Sequence, residues 1–221
     1  MNKLDFFGYF RSSSAFRVRI ALNLKKVPHN YHAVHLINNG GEQRKEEYRK
    51  INPMGEVPGI HDNGFSLGQS MAILFYLDDK FPDPRLFPSD PQQKARVIEL
   101  CEFINSGIQP LHNLIVQQEL EKRYGVDSVG KEDWIQHWIR RGLTTVERTL
   151  VQTAGSFSVG GQVSAVDCYL VPQYRASQRF GMDLSSFPTV TRVAEACLKL
   201  EAFQKAEAKN QPDAPTGFTG V

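Results

Sequence analysis

The sequence predicts a chain in two parts, α/β over its first third and all-α over the remainder. Three observations carry that reading. Between residues 4 and 80 the apolar period switches back and forth between two and 3.6, as it does where strands alternate with helices. The segment from Phe81 to Gln93 then holds four prolines in thirteen positions and can continue neither helix nor strand. Beyond it the period is helical almost throughout. The expected division is an α/β domain over 1–81, a Pro-rich linker over 82–93 and an all-helical domain over 94–221.

In chain order, Leu4 to Phe7 reads as a short strand. A helix follows from Ser13 to about residue 26, ahead of Pro28, because Phe16, Ile20 and Leu24 recur at i, i+4 and i+8 and Val18, Ala21 and Leu22 widen the stripe. Asn30 to Leu36 reads as a second strand, which makes a βαβ unit with a right-handed crossover. Asn38-Asn39-Gly40-Gly41 is a loop signal, and Glu42 to Lys50 a short surface helix. Pro58 leads into a strand at Ile60-His61, and Asp62-Asn63-Gly64 turns it back antiparallel into Phe65-Ser66-Leu67. Gln69-Ser70 open a helix through Lys80 with Ile73, Leu74 and Leu77 inward.

In the helical part, breaks are expected near Gly107, Gly125 to Gly130, Thr153 to Val163, Gly181 to Pro188 and in the polar tail from Asn210. Ser164-Ala165-Val166-Asp167 is a capping-box pattern with Asp in place of Glu. It starts a helix, Cys168 to Phe180, that is apolar on most sides and so is expected at the centre of its domain.

Composition narrows the function. Hydrophobic content of 41 % and charged content of 23 % fit a soluble globular protein. A net charge of +2, from 26 basic and 24 acidic residues, is too near balance for nucleic acid or an anionic membrane as main partner. No apolar run reaches the roughly 18 residues of a membrane span, and the opening Met-Asn-Lys-Leu-Asp has no signal-peptide core, so a cytoplasmic protein is expected. Cys101, Cys168 and Cys197 are odd in number and far apart, which fits neither disulfides nor zinc; each is expected to be a buried small hydrophobe. The six histidines lack any HExxH spacing, and no metal is expected.

Ser12, Ser13 and Ser14 fall on the cap and first turn of the first helix. Serine caps such a start well. The same start has unpaired N–H groups and partial positive charge, so it also suits an anion: a phosphate, a carboxylate or a thiolate. Both readings stand on local grounds.

The residues then point further. Ser12-Ser13-Ser14-Ala15-Phe16-Arg17-Val18-Arg19-Ile20-Ala21-Leu22 resembles the zeta-class glutathione transferase signature Ser-Ser-Cys-x-Trp-Arg-Val-Arg-Ile-Ala-Leu. Asn52-Pro53-Met54 with Val57-Pro58, Gln69-Ser70-x-Ala72-Ile73, Gly107 to Leu111 with Asn113, Leu170 to Gln173 with Arg179-Phe180, and the tail Gln211-Pro212-Asp213 are similar to that class in the same order. The resemblance implies a thioredoxin-like glutathione-binding domain followed by a helical substrate domain, assembled as a homodimer. It implies a cis Pro58, with Val57 pairing its N–H and C=O with the cysteinyl part of glutathione. Gln69 and Ser70 then take the γ-glutamyl carboxylate at a helix start, and Gln43 the glycyl end. Ser12, assisted by Ser13, holds the thiolate.

A free thiol of pKa about 8.5 is about 3 % ionised at pH 7, and lowering that pKa by about two makes it about 75 %. The implied activity is isomerisation of maleylacetoacetate to fumarylacetoacetate, in tyrosine and phenylalanine breakdown, by thiolate addition, bond rotation and elimination, with glutathione as cofactor. Arg11 and Arg179 are the candidate cations for the diacid, and Gln109 and Asn113, four apart on one helix face, are expected to border the same cleft. Arg17 and Arg19 are read as structural or solvated. Maleylpyruvate isomerisation is the near alternative, although that group carries extra arginines just after the Asn113 position, where this chain has Leu114-Ile115. General glutathione conjugation or peroxidase chemistry is the other. One departure is plain: the signature's cysteine is Ser14 here and its tryptophan Phe16.

Overall fold

Leu4–Gly8 (β1) alternates buried and half-buried side chains, the period of a strand covered unequally on its two faces. In the computed structural model, which describes residues 3–220, it lies inside a four-stranded sheet. The helix Ser13–Leu24 (α1) leads to His29–Ala33 (β2), which pairs parallel with β1 from Leu4 opposite His29 to Gly8 opposite Ala33. This is the expected βαβ unit. The second strand ends earlier than the sequence suggested: after Val34 N–H bonds Gly8 O, the chain turns away so that Glu42 can bond both backbone groups of His35.

Residues 42–50 form two short pieces, a 3-10 turn Glu42–Arg44 and the helix Glu46–Arg49 (α2), split where Lys45 adopts extended backbone. Gly59–Asp62 (β3) pairs antiparallel with β1, and Phe65–Gly68 (β4) antiparallel with β3. Asn63 and Gly64 both have positive φ, 50° and 88°, as a two-residue hairpin turn of this hand requires. The sheet order is β2-β1-β3-β4, and Ser70–Lys80 (α3) follows with Ile73, Leu74 and Leu77 fully buried.

The second unit, Pro88–Leu198, is helical: Pro91–Asn105 (α4), Leu114–Tyr124 (α5), Ser128–Thr153 (α6), Ala165–Arg179 (α7) and Pro188–Leu198 (α8). Asp90 caps α4 by accepting from Gln93 N–H, and Pro91 takes the first helical position, where its missing N–H costs nothing. The Ser164–Asp167 capping box is formed in both directions. Twelve of the fifteen residues of α7 are buried and the helix packs on α4 and α8, so it is central as its all-round apolarity required.

The end of the chain departs from the expected division. After α8, Glu201–Ala206 (α9) and the segment to Gly220 pack with the first unit, which comprises the described residues up to Phe87 together with Lys199–Gly220. α9 lies on α1, and this changes α1 itself. Every residue from Ala15 to Leu22 is buried, Arg17 and Arg19 included, where the sequence suggested a single apolar stripe. All three cysteines are free and buried. No helix among the described residues is long and apolar enough to cross a membrane.

Candidate active site

Ser12 is the N-cap of α1: its backbone is extended and its Oγ accepts the Ala15 N–H at 3.1 Å. A hydroxyl oxygen has two lone pairs and one proton. Capping takes a lone pair and leaves the proton for an anion, so the two local readings of the serines are compatible at one atom. Ser13 and Ser14 occupy the first turn beside it, half-buried, and Arg11 is exposed immediately before it, its guanidinium 6.0 Å from the centre of the Phe218 ring.

Val57 sits in a loop closed by Asn52. The Asn52 amide donates to Glu56 O at 2.7 Å and to Pro58 O at 3.4 Å and accepts from Met54 N–H at 3.1 Å, while the Tyr48 hydroxyl also donates to Glu56 O. These bonds fall on the neighbours of Val57 and leave its own peptide groups out. The Val57-Pro58 bond is cis. Asn52 fits there because residue 68 is glycine: a Cβ at that position would come within 2.6 Å of the Asn52 side chain.

At the head of α3, Gln69 is exposed with φ 67° and Ser70 is 4 % exposed. The Ser70 hydroxyl accepts from Arg17 Nη1 at 3.0 Å. This joins the middle of α1 to the start of α3, a buried charge behind a helix N-terminus. Gln43 is turned inward, 8 % exposed, its Nε2 on Leu36 O at 3.3 Å and its Oε1 without a hydrogen-bond partner. Its Nε2 carries a second proton beyond the bond to Leu36 O.

In the second unit the structure corrects one expectation. Gln109 and Asn113 do not share a helix face. Gln109 opens a 3-10 turn, Gln109–His112, and Asn113 is the extended N-cap of α5, with Oδ1 3.4 Å from Ile115 N. Pro110 supplies no N–H to an α-helix and the turn tightens instead. The turn is fixed from three sides. His112 Nε2 donates to Gln173 Oε1 at 3.2 Å, Trp134 Nε1 donates to Leu111 O at 2.8 Å, and Ile108 packs where a Cβ on Gly142 would intrude.

Arg179 ends α7, half-buried, with its guanidinium 4.7 Å from the centre of the Phe180 ring. His112 meets that same ring edge-on at 5.5 Å, so the turn from Gln109 and the end of α7 that carries Arg179 are brought together. Gln136 Nε2 holds Phe180 O at 2.9 Å. Sequence reasoning gave Asn52 and Gln173 no part beyond the motifs they belong to and passed over His112; of its two readings of Arg17 and Arg19, structural or solvated, the structure shows the first. A polar side chain inside an otherwise apolar or proline-bounded stretch was the one available signal. No group of three or more His, Cys, Asp or Glu that could hold a metal occurs among the described residues.

The glutathione S-transferase N-terminal domain model matches residues 11–80, the stretch that carries Arg11 to Ser70. Fold and site together make this chain a glutathione S-transferase. Maleylacetoacetate isomerase of Rattus norvegicus is 43 % identical over 212 residues, 95 % of this chain and 94 % of its own. A crystal structure of maleylacetoacetate isomerase from Anaeromyxobacter dehalogenans 2CP-1, with bound GSH in the active site, aligns at TM-score 0.87 and 42 % identity over 96 % of this chain and 98 % of that one. The holo structure of a bacterial zeta-class maleyl pyruvate isomerase aligns at TM-score 0.91 and 36 % identity over 96 % and 100 %. The chain belongs to the zeta-class maleylacetoacetate isomerase family.

Proposed function

We propose that this protein isomerises maleylacetoacetate to fumarylacetoacetate with glutathione as cofactor. The observation that carries the reading is Ser12: a hydroxyl held by its capping bond at a helix start, with its proton left for an anion. The residues present fit glutathione. Val57 has peptide groups left out of the loop's own bonding, and Ser70 stands at the start of α3 with Arg17 behind it. Gln69 keeps a φ of 67°, a conformation that costs a non-glycine residue about 1–3 kcal/mol and gathers at binding sites.

Bound glutathione supplies the thiolate whose addition to the cis double bond frees it to rotate before elimination. Ser12 donates to that sulfur, with Ser13 beside it. Val57 pairs with the cysteinyl backbone, Gln69 and Ser70 with the γ-glutamyl carboxylate, and Gln43 with the glycyl end. Arg179 pairs with a carboxylate of the diacid, Arg11 adds positive charge beside the sulfur, and Gln109 and Asn113 line the substrate end. Leu114 and Ile115 put no cation after Asn113, which favours the longer diacid over maleylpyruvate. The protein works as a cytoplasmic homodimer in this reading.

The test is to follow cis-to-trans conversion of both diacids, with and without glutathione, in wild type and Ser12→Ala. Conversion only with glutathione, faster for maleylacetoacetate and reduced in Ser12→Ala, is expected. Turnover without glutathione would sink the mechanism. Faster maleylpyruvate turnover would reassign the substrate.

A further inference from the structure

Two charged side chains far apart in sequence converge on the backbone of Phe10, two residues ahead of Ser12. Arg19, 3 % exposed, reaches back from α1: Nη2 donates to Phe10 O at 3.1 Å, Nη1 to Tyr9 O at 3.2 Å and Nε to Ala206 O at 2.9 Å. Asp213, in the segment after α9, closes the opposite side. Its Oδ2 accepts the Phe10 N–H at 2.9 Å and its Oδ1 the Tyr31 hydroxyl at 2.8 Å. Both backbone groups of Phe10 are therefore held, one from α1 and one from the chain's last segment.

The segment is itself fixed. Gln211 Nε2 donates to Lys205 O and Glu207 O, both at 2.9 Å, and Ala214 N–H bonds Gln211 O at 3.0 Å. Phe218 packs edge-on against Phe10, ring centres 5.2 Å apart, and its ring also faces the Arg11 guanidinium. Phe218 and Ala214 join the apolar cluster that contains Tyr9, Phe10 and Val57. Burial pushes the Arg19 pKa down to about 10, which leaves it charged at neutral pH. Burial, then the bond to Asp213, pushes the Tyr31 hydroxyl up, so it stays a donor.

The loop between β1 and α1 is only Tyr9 to Ser12, and within it Ser12 N–H bonds Tyr9 O at 3.0 Å. The direction of the Ser12 hydroxyl follows the path of those four residues. We propose that Arg19 and Asp213 are positioning residues for the thiolate-holding hydroxyl, which makes the segment after α9 a working part of the glutathione site. The inference rests on the reading of Ser12 as the thiolate's partner. A shift of about 1 Å in a reacting group can cost about a hundredfold in rate, so the fixing of this loop carries weight in catalysis.

The experiment titrates the ultraviolet absorbance of the glutathione thiolate bound to full-length wild type, Asp213→Ala, Asp213→Asn and Tyr31→Phe, and measures kcat alongside. Asp213→Ala should raise the bound thiol's pKa by about one and lower kcat about tenfold. Asp213→Asn keeps an acceptor for Phe10 and an N–H for the Tyr31 oxygen, and should stay within about twofold of wild type. An Asp213→Ala protein with wild-type thiol pKa and kcat overturns the positioning role and leaves the site reading intact. Wild type that binds glutathione without ionising it overturns both. Where Asp213→Ala does not fold, Tyr31→Phe decides: a smaller upward shift supports the role, and no shift overturns it.

Discussion

Arg17 Nη1 donates to the Ser70 hydroxyl at 3.0 Å, across 53 residues of sequence and with both residues buried. Hydrogen bonds to charged groups contribute about 1.5–3 kcal/mol, against about 1 for neutral pairs. Here the bond also fixes the position of the hydroxyl at the start of α3. Arg17→Met should therefore raise the glutathione KM roughly tenfold while changing kcat less than about twofold, because uniform binding is what is lost. Steady-state kinetics at saturating diacid measures both.

The two roles of Ser12 separate by substitution. Ser12→Ala removes the cap and the donor together, and should cost about 1 kcal/mol of stability along with most of the activity. Ser12→Asp caps the Ala15 N–H as well as serine does, but at neutral pH it has no proton to give and sets a negative charge beside the thiolate. Urea unfolding should show wild-type stability for Ser12→Asp, and the isomerisation assay none of the wild-type rate.

In the proposed reaction Arg179 pairs with a carboxylate of the diacid. Arg179→Ala should raise the diacid KM by about tenfold or more, and Arg179→Lys should restore only part of it, since an ammonium lacks the planar fork that a carboxylate accepts. An unchanged diacid KM in Arg179→Ala would remove that residue from substrate binding.

Lys25 and Asp78 form a buried ion pair at 2.7 Å, with side chains 0 % and 4 % exposed. Lys25 also donates to Phe81 O and Pro84 O, and Asp78 accepts from Leu86 N–H and Phe87 N–H. The pair thus ties the end of α1 and α3 to the segment that leaves the first unit. Lys25→Met strands a buried carboxylate and should cost about 3–5 kcal/mol in denaturant unfolding.

Asp62 is held below its usual value of 3.8 by hydrogen bonds from Lys80 and then Tyr76. A carboxyl whose folded pKa is lowered adds stability that is present above its unfolded pKa and lost as pH falls through the folded value. Wild type should lose stability from about pH 4 downward, and Asp62→Asn should lose less over the same window. Thermal unfolding midpoints across that range measure the difference.

Much of the candidate site was legible because its chemistry is local. Ser12 to Ser14 ahead of an amphipathic run, Val57-Pro58 before a strand and Gln69-Ser70 before a helix are each short signals whose consequences follow from caps, prolines and helix starts. The roles of Arg17, Arg19 and Asp213 were not. An arginine in a helix reads the same whether its far side meets water or another helix, and α9, which covers α1, arrives about 180 residues later.

Periodicity, prolines and turn residues thus determine the elements, their order and the position of the serines at the mouth of α1. The tertiary structure alone decides three things: that the last segment returns to the first unit, that Phe10 is held by Arg19 and Asp213, and that Gln109 and Asn113 lie on a turn and a cap, not on one helix face. The reason is physical. Local pattern sets which conformations a segment can adopt, whereas buried polar groups are placed by the need to find partners, and those partners can lie anywhere in the chain.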